Sequence, residues 1–276
     1  MPKAYLTIDD SPTKHTVELT DWLLKNDIPA VFFCIGSEYT DINRKGVGMA
    51  QNPAPILDAI KKGFVVANHT YTHRRSSEIS YEEVLDEIEK TESLIEGLYK
   101  QAGVARKHKL IRFPHLDRGA GGWIVDFTKS GPHEGVHKSL FFDGLNVKPT
   151  PPTNEQLEKK IKIQDYLKRE GYTAEVFSGV THPWYAQTEI AEARDSLMTF
   201  STSDWMLNPD FTKYSEEWGW PFKTLDALKG KIDSDAHLWR DDSRHVILAH
   251  DHNGLFETTR DLVAHMKHQG MEFVAI

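Results

Sequence analysis

The stretch Ala4–Pro12, with the sequence AYLTIDDSP, ends an apolar run in two adjacent carboxylates, Asp9 and Asp10. The β-branched and aromatic residues of Ala4–Ile8 predict a buried strand. Two ionised aspartates repel each other, and burial of either one is costly unless a positive group neutralises it. We therefore expect this strand to end beside a cation.

Short apolar runs alternate with amphipathic stretches along most of the chain. The runs predict strands at Ala4–Ile8, Ala30–Ile35, Phe64–Ala67, Leu110–Phe113, Thr173–Phe177, Leu197–Phe200, His245–Ala249 and Met271–Ala275. The amphipathic stretches predict helices at Lys14–Lys25, Ala54–Lys62, Tyr81–Gln101, Asn154–Glu170 and Thr258–Gln269. Such alternation is typical of a parallel α/β fold, and seven or eight units in 276 residues suit a barrel better than an open sheet. We predict a single α/β domain over residues 1–276.

The segment Leu116–Thr153 interrupts this alternation. It contains GAGG at Gly119–Gly122 and PTPP at Pro149–Pro152, which are turn-forming sequences. A loop of this length in a compact domain is usually either functional or disordered. We therefore predict an insertion at about residues 116–153, either a long loop or a small subdomain.

The composition argues against several classes of protein. A net charge of −8 without a long basic block argues against nucleic acid as the main partner. The single cysteine, Cys34, cannot form an intrachain disulfide, and its apolar neighbours predict a buried thiol. No apolar run approaches the roughly 20 residues that span a bilayer, so we expect no membrane span. The chain begins without a secretory signal, which predicts a cytoplasmic location, or a periplasmic or secreted one if a leader was removed. The oligomeric state stays open.

Polar residues also follow or end three other predicted strands. They are the pair His69 and His73, then Arg112, then His250. The His-x3-His spacing would place both imidazoles on one side of a helical turn, where they could bind a divalent ion with a third ligand. Chance pairs at this spacing are equally expected among 14 histidines. Ligand sites in parallel α/β folds gather at the carboxyl ends of the strands, however, and this position favours a functional site.

These motifs, in this order, resemble those of the polysaccharide deacetylases (carbohydrate esterase family 4). TIDDSP resembles the first motif, ANHTYTH the second, RFPH the third and VILAHD the fifth, while PAVFFCIG resembles the second strand of the family. The resemblance runs from Tyr5 to about Val274. It implies a distorted (β/α)7-8 barrel and a hydrolase that removes N-acetyl groups from amino sugars in a glycan, such as a chitin oligosaccharide or peptidoglycan.

The resemblance implies that Asp10, His69 and His73 bind one divalent metal ion. Zinc is the first candidate, with Co2+, Ni2+ or Mn2+ as alternatives. Asp9 would be the general base, and Arg112 would pair with it and orient it. A metal with three protein ligands keeps a position for water and lowers the pKa of that water towards ~7. One carboxylate would then be neutralised by a dication and the other by a guanidinium.

The resemblance also assigns groups to the leaving amine and the sugar. His250 would be the general acid, because a histidine tuned near neutrality can protonate a departing amine. Pro114 and His115, in the third motif, would contact the substrate, and the main-chain N–H of His115 would help to hold the oxyanion. Asp204 and Trp205 would form the fourth motif, with Trp205 lining the groove for the sugar.

The chain departs from the family pattern at several positions. Ser11 stands where the family has glycine after the two aspartates, and His115 stands where it has an aromatic residue. Ser201 occupies the place of the leading aspartate of the fourth motif, which leaves the charge balance of the third-motif arginine open. Thr181–Trp184 is an alternative fourth motif. The long insertion, Leu116–Thr153, is the first candidate for a source of unusual substrate choice.

Two other functions stay open. One is a small-molecule amide or imide hydrolase on the same scaffold, and the other is a non-catalytic glycan-binding protein. The complete set of Asp10, His69 and His73 argues against the first, because such relatives often lack it. Asp9 and His250 argue against the second, because a pure binder needs neither a base nor an acid.

Some further residues have both a structural and a functional interpretation. Asp251 could orient a neighbour or be a solvated loop charge. His133 and His137 repeat the His-x3-His spacing inside the insertion, without a strand before them. Five tryptophans could stack on sugar rings or pack in the core, namely Trp184, Trp205, Trp218, Trp220 and Trp239.

Overall fold

The structure is a computed structural model that describes residues 1–41, 44–125, 140–145, 150–173, 176–217 and 219–276. Its α-helices include α1 (Thr16–Lys25), α2 (Ala54–Lys61), α3 (Tyr81–Ala102), α4 (Asn154–Arg169), α5 (Pro183–Gln187), α6 (Leu225–Ser234) and α7 (Phe256–His268). Its strands are β1 (Lys3–Ser11), β2 (Ala30–Cys34), β3 (Tyr39–Asp41), β4 (Arg44–Gly46), β5 (Val65–Asn68), β6 (Phe200–Ser201), β7 (Arg244–His250) and β8 (Glu272–Phe273). Among the helices in these ranges, none has both the length and the apolar character needed to cross a bilayer.

Strand β1 lies at the centre of a parallel sheet. The order across this sheet is β5-β2-β1-β7-β6, and β8 pairs with the first residues of β1. Asp9 lies opposite Phe33 of β2 on one side and opposite His250 of β7 on the other. The register therefore places Asp9 and His250 next to each other at the carboxyl edge of the sheet.

Hydrogen bonds close this sheet into a distorted barrel. Asn68, at the end of β5, forms a parallel bridge with Ile111. The carbonyl of Ile111 accepts from the N–H of Ser196 at 2.7 Å, and the N–H of Thr199 donates to the carbonyl of Val246 at 2.8 Å. One segment thus links both edges of the sheet, and the predicted (β/α) barrel is confirmed.

The alternation of side chains along β1 separates two apolar clusters. Leu6 and Ile8 pack on the outer side with residues of α1, α2 and α7. Tyr5 packs on the inner side with Phe33 and residues of β7. Because successive side chains of a strand point to opposite faces, Asp9 falls on the inner face, above this inner cluster.

Most predicted elements occur within a few residues of their predicted ends. Helix α3 begins at a capping box formed by Ser80 and Glu83 and ends at Gly103, whose φ is 70°. The predicted strand Leu110–Phe113 is reduced to the single bridge at Ile111. Parts of the predicted strand at residues 173–177 and of the predicted insertion lie outside the described residues.

Thr7 connects β1 to β7 and to Arg112, and it provides a test of the polar core of the barrel. Its buried hydroxyl donates to the carbonyl of Ile247 at 2.7 Å and accepts from Nη1 of Arg112 at 2.8 Å. Thr7→Val keeps the shape of the side chain but removes both bonds. We expect the free energy of unfolding to fall by about 1–3 kcal/mol, measured by chemical denaturation.

Thr91→Val is the matched control for this variant. Thr91 is equally buried, but its hydroxyl donates to the carbonyl of Glu87 within α3, which is part of the helical ladder. Loss of the Thr91 hydroxyl therefore leaves fewer polar groups without a partner than loss of the Thr7 hydroxyl. Equal destabilisation of the two variants would contradict the importance of the Thr7 network.

Candidate active site

A β-bulge at Asp10 brings two neighbouring carboxylates to the same side of the chain. The pairing of β1 with β2 passes from Asp9 opposite Phe33 to Ser11 opposite Cys34, so that Asp10 is skipped. Its φ of 73° lies in the left-handed region, which aspartate adopts more readily than most residues. The bulge interrupts the alternation of a regular strand, and both aspartates line the same cleft.

Asp10, His69 and His73 form a compact group of metal-ligating side chains. Oδ1 of Asp10 lies 3.1 Å from Nε2 of His69 and 3.1 Å from Nε2 of His73. The three ligand atoms all lie within 4.8 Å of one another, and all three residues are buried. One carboxylate oxygen and two imidazole nitrogens make a donor set found in three-ligand catalytic zinc sites, so these residues fit a divalent ion.

The segment that carries the two histidines is irregular, and the predicted helical turn is wrong. Thr70 and His73 have φ values of 64° and 58°, outside the right-handed helical region. Asn68 and Glu87 hold the backbone instead. Oδ1 of Asn68 accepts from the N–H of Thr70 at 2.9 Å, and Oε2 of Glu87 accepts from the N–H of Tyr71 at 2.9 Å. Both imidazoles reach Asp10 through this supported turn rather than through helical periodicity.

The carbonyl of Arg112 fixes the protonation of His69. This oxygen lies 2.7 Å from Nδ1 of His69. A carbonyl only accepts hydrogen bonds, so Nδ1 carries the proton of the neutral ring and Nε2 keeps its lone pair. The lone pair is on the nitrogen that faces Asp10, as a metal ligand requires.

A buried ion pair neutralises Asp9. Nη1 of Arg112 donates to Oδ1 of Asp9 at 2.8 Å, and the arginine side chain is fully buried. Oδ2 of Asp9 lies 3.8 Å from Nε2 of His69. The two carboxylates of the opening motif therefore have different neighbours, since Arg112 holds Asp9 while Asp10 faces imidazoles.

Several other groups fix the guanidinium of Arg112. Its Nε donates to the carbonyl of Ser196 at 2.8 Å, and its Cζ lies 4.4 Å from the centroid of the Phe33 ring. Among the described residues, Nη2 has no hydrogen-bond partner. This vacant position agrees with Ser201 replacing the leading aspartate of the fourth motif. The aromatic ring and the Ser196 carbonyl still stabilise the cation.

Asp204 holds His250 by two hydrogen bonds. Oδ1 of Asp204 lies 2.7 Å from Nδ1 of His250, and Oδ2 accepts from the main-chain N–H of His250 at 2.8 Å. The hydroxyl of Thr259 also donates to Oδ2, at 3.1 Å. Asp204 was predicted among the substrate-binding residues, but its side chain is fully buried beneath His250, so that it positions His250 instead.

Electrostatics favours the charged form of this pair. Burial disfavours the protonated ring, but the negative charge of Asp204 and its hydrogen bond outweigh burial and raise the pKa of His250 to about 9. Burial likewise opposes ionisation of Asp204, yet the charge of His250 lowers the pKa of Asp204. A dication bound nearby would lower the pKa of His250 from this value.

Of the two candidates for the fourth motif, Ser201–Trp205 lies at the site. Trp205 lines the cleft, and its Nε1 donates to Oδ2 of Asp143 at 2.6 Å. Trp184, from the alternative, is buried against Phe141 with their ring centroids 5.3 Å apart. Trp184 is therefore a core residue and not a platform for sugar rings.

His115 follows the third-motif proline in a left-handed conformation. Its φ is 55°, and its ring centroid lies 4.8 Å from that of His73. Burial lowers the pKa of His115 well below its usual value, so the ring is neutral near neutral pH. Pro114, predicted to contact the substrate, is buried and does not line the cleft, whereas its neighbours Phe113 and His115 do.

Asp251 ties the first motif to the fifth. Ser11 and Thr13 donate their hydroxyls to its carboxylate, each at 2.7 Å, and the hydroxyl of Thr16 also contacts it. The carboxyl is buried, which excludes a solvated loop charge, and burial raises its pKa. Serine in place of glycine after the aspartates thus has a structural function, because Ser11 binds Asp251.

His252 is a candidate site residue to which sequence reasoning assigned no function. Its Nε2 forms a hydrogen bond with Oδ2 of Asp10, and its ring is buried. Asp10, His250 and His252 also make a second group whose ligand atoms lie within 4.8 Å of one another. The signal available was the sequence HDH, which repeats a histidine two residues after the predicted acid at a strand end.

The remaining candidates lie in the core or outside the described residues. Trp220 is buried with its ring centroid 5.1 Å from that of Trp205. Trp239 donates its Nε1–H to the carbonyl of Ile232 at 2.7 Å. Three residues lie outside the described ranges, namely Trp218, His133 and His137.

The cleft above the site has a volume of about 710 Å3. The residues that line it include the site residues Asp9, Asp10, His69, His73, His250 and His252. The described residues 140–145 of the insertion contribute much of its wall, including Leu140, Phe141 and Asp143. A cleft of this size holds a ligand larger than an acetyl group.

Comparison with known proteins gives a consistent result. Residues 1–120 match the polysaccharide deacetylase family. A chitooligosaccharide deacetylase from Rhizobium leguminosarum bv. trifolii is 32% identical over 140 residues, which are 49% of this chain and 56% of the relative. The chain spans about half the length of the curated relatives it matches.

Solved structures share the fold at low identity. The polysaccharide deacetylase Bc1974 from Bacillus cereus has a TM-score of 0.54 and 20% identity. The match covers 100% of this chain and 92% of the Bc1974 chain. A CE4 family pseudoenzyme from Bacillus anthracis has a TM-score of 0.54 and 16% identity. The match covers 98% of this chain and 62% of the pseudoenzyme chain. Residues 1–120, which carry the first three motifs, match the polysaccharide deacetylase family, and the solved structures share the fold of the chain.

Proposed function

We propose that the protein is a metal-dependent hydrolase that removes N-acetyl groups from N-acetylated amino sugars in a glycan. The observation that carries this proposal is that two adjacent carboxylates have different partners. Asp10 faces the Nε2 atoms of His69 and His73, whereas Asp9 is held by Arg112. Relatives described as chitooligosaccharide and peptidoglycan-N-acetylglucosamine deacetylases support a chitin-like or peptidoglycan substrate.

Asp10, His69 and His73 would hold the ion, with zinc as the proposed metal and Co2+, Ni2+ or Mn2+ as alternatives. When bound, such an ion acidifies a water molecule and polarises a carbonyl. Nη1 of Arg112 binds Oδ1 of Asp9, so the other oxygen, Oδ2, is available to the substrate side. Oδ2 lies 3.8 Å from Nε2 of His69. This oxygen can accept the proton of the attacking water, which makes Asp9 the base.

His250 would complete the reaction on the other side of the amide. Its Nδ1 faces Asp204, so Nε2 is the nitrogen free to give a proton to the departing amine. The main-chain N–H of His115 would donate to the oxyanion. The carbonyl carbon gains the water oxygen, the C–N bond breaks, and acetate and a free amino sugar result.

The test of this function is acetate release from a panel of acetylated substrates. The panel contains chitin oligosaccharides, peptidoglycan, acetylated xylan and a small cyclic amide. We expect release from N-acetylated glycans that is lost with a chelator and restored by added Zn2+. Release from the cyclic amide alone would favour a small-molecule hydrolase, and binding without release would favour a non-catalytic protein.

Asp9→Asn and Asp10→Asn should separate the base from the metal ligand. Asp9→Asn removes the proton acceptor but no ligand, so we expect turnover to be abolished while the metal content stays near about one ion per chain. Asp10→Asn should lose the ion itself. Metal analysis after dialysis, together with the acetate assay, measures both effects. Loss of the ion from Asp9→Asn would mean that the two aspartates have the opposite functions.

Asp204→Asn should change the pH dependence of the rate. An acid must be protonated to act, so activity falls as the pH rises through the pKa of His250. Asn removes the charge that raises this pKa, and the basic limb of the kcat profile should move to lower pH by about one unit or more. Asp233→Asn is the matched control, because Asp233 pairs with His265 at 2.7 Å on the surface. An unmoved basic limb in Asp204→Asn would exclude His250 as the acid.

A further inference from the structure

The two oxygens of Asp10 face different kinds of partner. Oδ1 lies 3.1 Å from Nε2 of His69 and of His73, whereas Oδ2 forms a hydrogen bond with Nε2 of His252. We propose that His252 is a positioning residue that fixes the carboxylate of Asp10 for the metal ion. This inference rests on the proposed metal site, but His252 itself is neither the base, the acid nor one of the three ligands assigned there.

Asn208 determines which nitrogen of His252 carries the proton. Oδ1 of Asn208 accepts from the N–H of Asp210 at 2.9 Å, which directs the amide nitrogen to the other side. This amide nitrogen lies 3.0 Å from Nδ1 of His252. An amide N–H donates, so Nδ1 is the acceptor of the neutral ring and Nε2 carries the proton. His252 therefore donates to Oδ2 of Asp10.

His252 and His69 have opposite tautomers for this reason. The main-chain carbonyl of Arg112 receives the Nδ1 proton of His69, which leaves a lone pair on Nε2. The amide of Asn208 leaves Nε2 of His252 protonated. Of these two imidazoles on Asp10, His69 presents a nitrogen that can coordinate an ion and His252 presents a donor. The tautomers distinguish a ligand from a hydrogen-bond donor where distance alone does not.

The position of Asp10 makes such a donor necessary. The residue lies in the β-bulge with a φ of 73°, so regular strand pairing does not direct its side chain. A donor on Oδ2 keeps Oδ1 directed at the two imidazoles. Partners that orient a metal ligand in this way typically contribute about 10–100-fold to metal affinity.

His252→Leu and His252→Gln test this assignment. Leucine fills the space but cannot donate, whereas the side-chain amide of glutamine can donate to Oδ2 of Asp10. We expect the Kd for Zn2+, measured by competition with a chromophoric chelator, to rise about 10–100-fold in His252→Leu and to recover largely in His252→Gln. The Co2+ absorption spectrum should keep its shape in both variants, because the ligands are unchanged. His268→Leu, at an exposed histidine of α7, is the control for losing one imidazole.

Three outcomes would overturn the assignment. An unchanged Kd in His252→Leu would remove the positioning role, and so would a Kd in His252→Gln as high as in His252→Leu. A changed Co2+ spectrum would make His252 a direct ligand. Thermal unfolding of the metal-free variants checks folding, and His252→Ala replaces His252→Leu if the latter does not fold. Absence of Zn2+ binding in the unmodified protein would instead overturn the proposed function, so the two failures are distinguishable.

Discussion

The buried ion pair between Asp9 and Arg112 is the interaction on which the site depends. Burial of adjacent carboxylates would be prohibitive without it, since each would raise the cost of ionising the other. Arg112 also connects distant parts of the chain, because its side chain binds Thr7 and the carbonyl of Ser196. Its own carbonyl sets the tautomer of His69. Arg112 therefore contacts β1, the segment at Ser196 and one proposed metal ligand at the same time.

The parts of the site that follow from strand ends could be predicted from the sequence. Asp9, Asp10, Arg112 and His250 each follow or end an apolar run, and parallel strands present their carboxyl ends at one edge. The structure brings these residues together as expected. The order of the first three motifs also indicated the polysaccharide deacetylase family, which residues 1–120 match.

Other parts could not be predicted, because they depend on backbone irregularity or on contacts distant in sequence. A regular strand would direct Asp9 and Asp10 to opposite faces, and only the bulge at Asp10 reverses this. The spacing of His69 and His73 indicated a helix, although Glu87 supports an irregular turn instead. The bond from His252 to Asp10 joins residues 242 positions apart, and no local pattern reports such a contact.

The acceptor for His69 belongs to the main chain at Arg112, and this has a consequence for how the site can change over evolution. Every amino acid supplies the same carbonyl oxygen, so substitution at this position alters the guanidinium but leaves the acceptor in place. A substitution of Arg112 can therefore change the cation that neutralises Asp9 without changing which nitrogen of His69 carries the proton. Asn208, which acts on His252 through a side chain, has no such protection. The tautomer of His69 is therefore less exposed to mutation of its partner than the tautomer of His252.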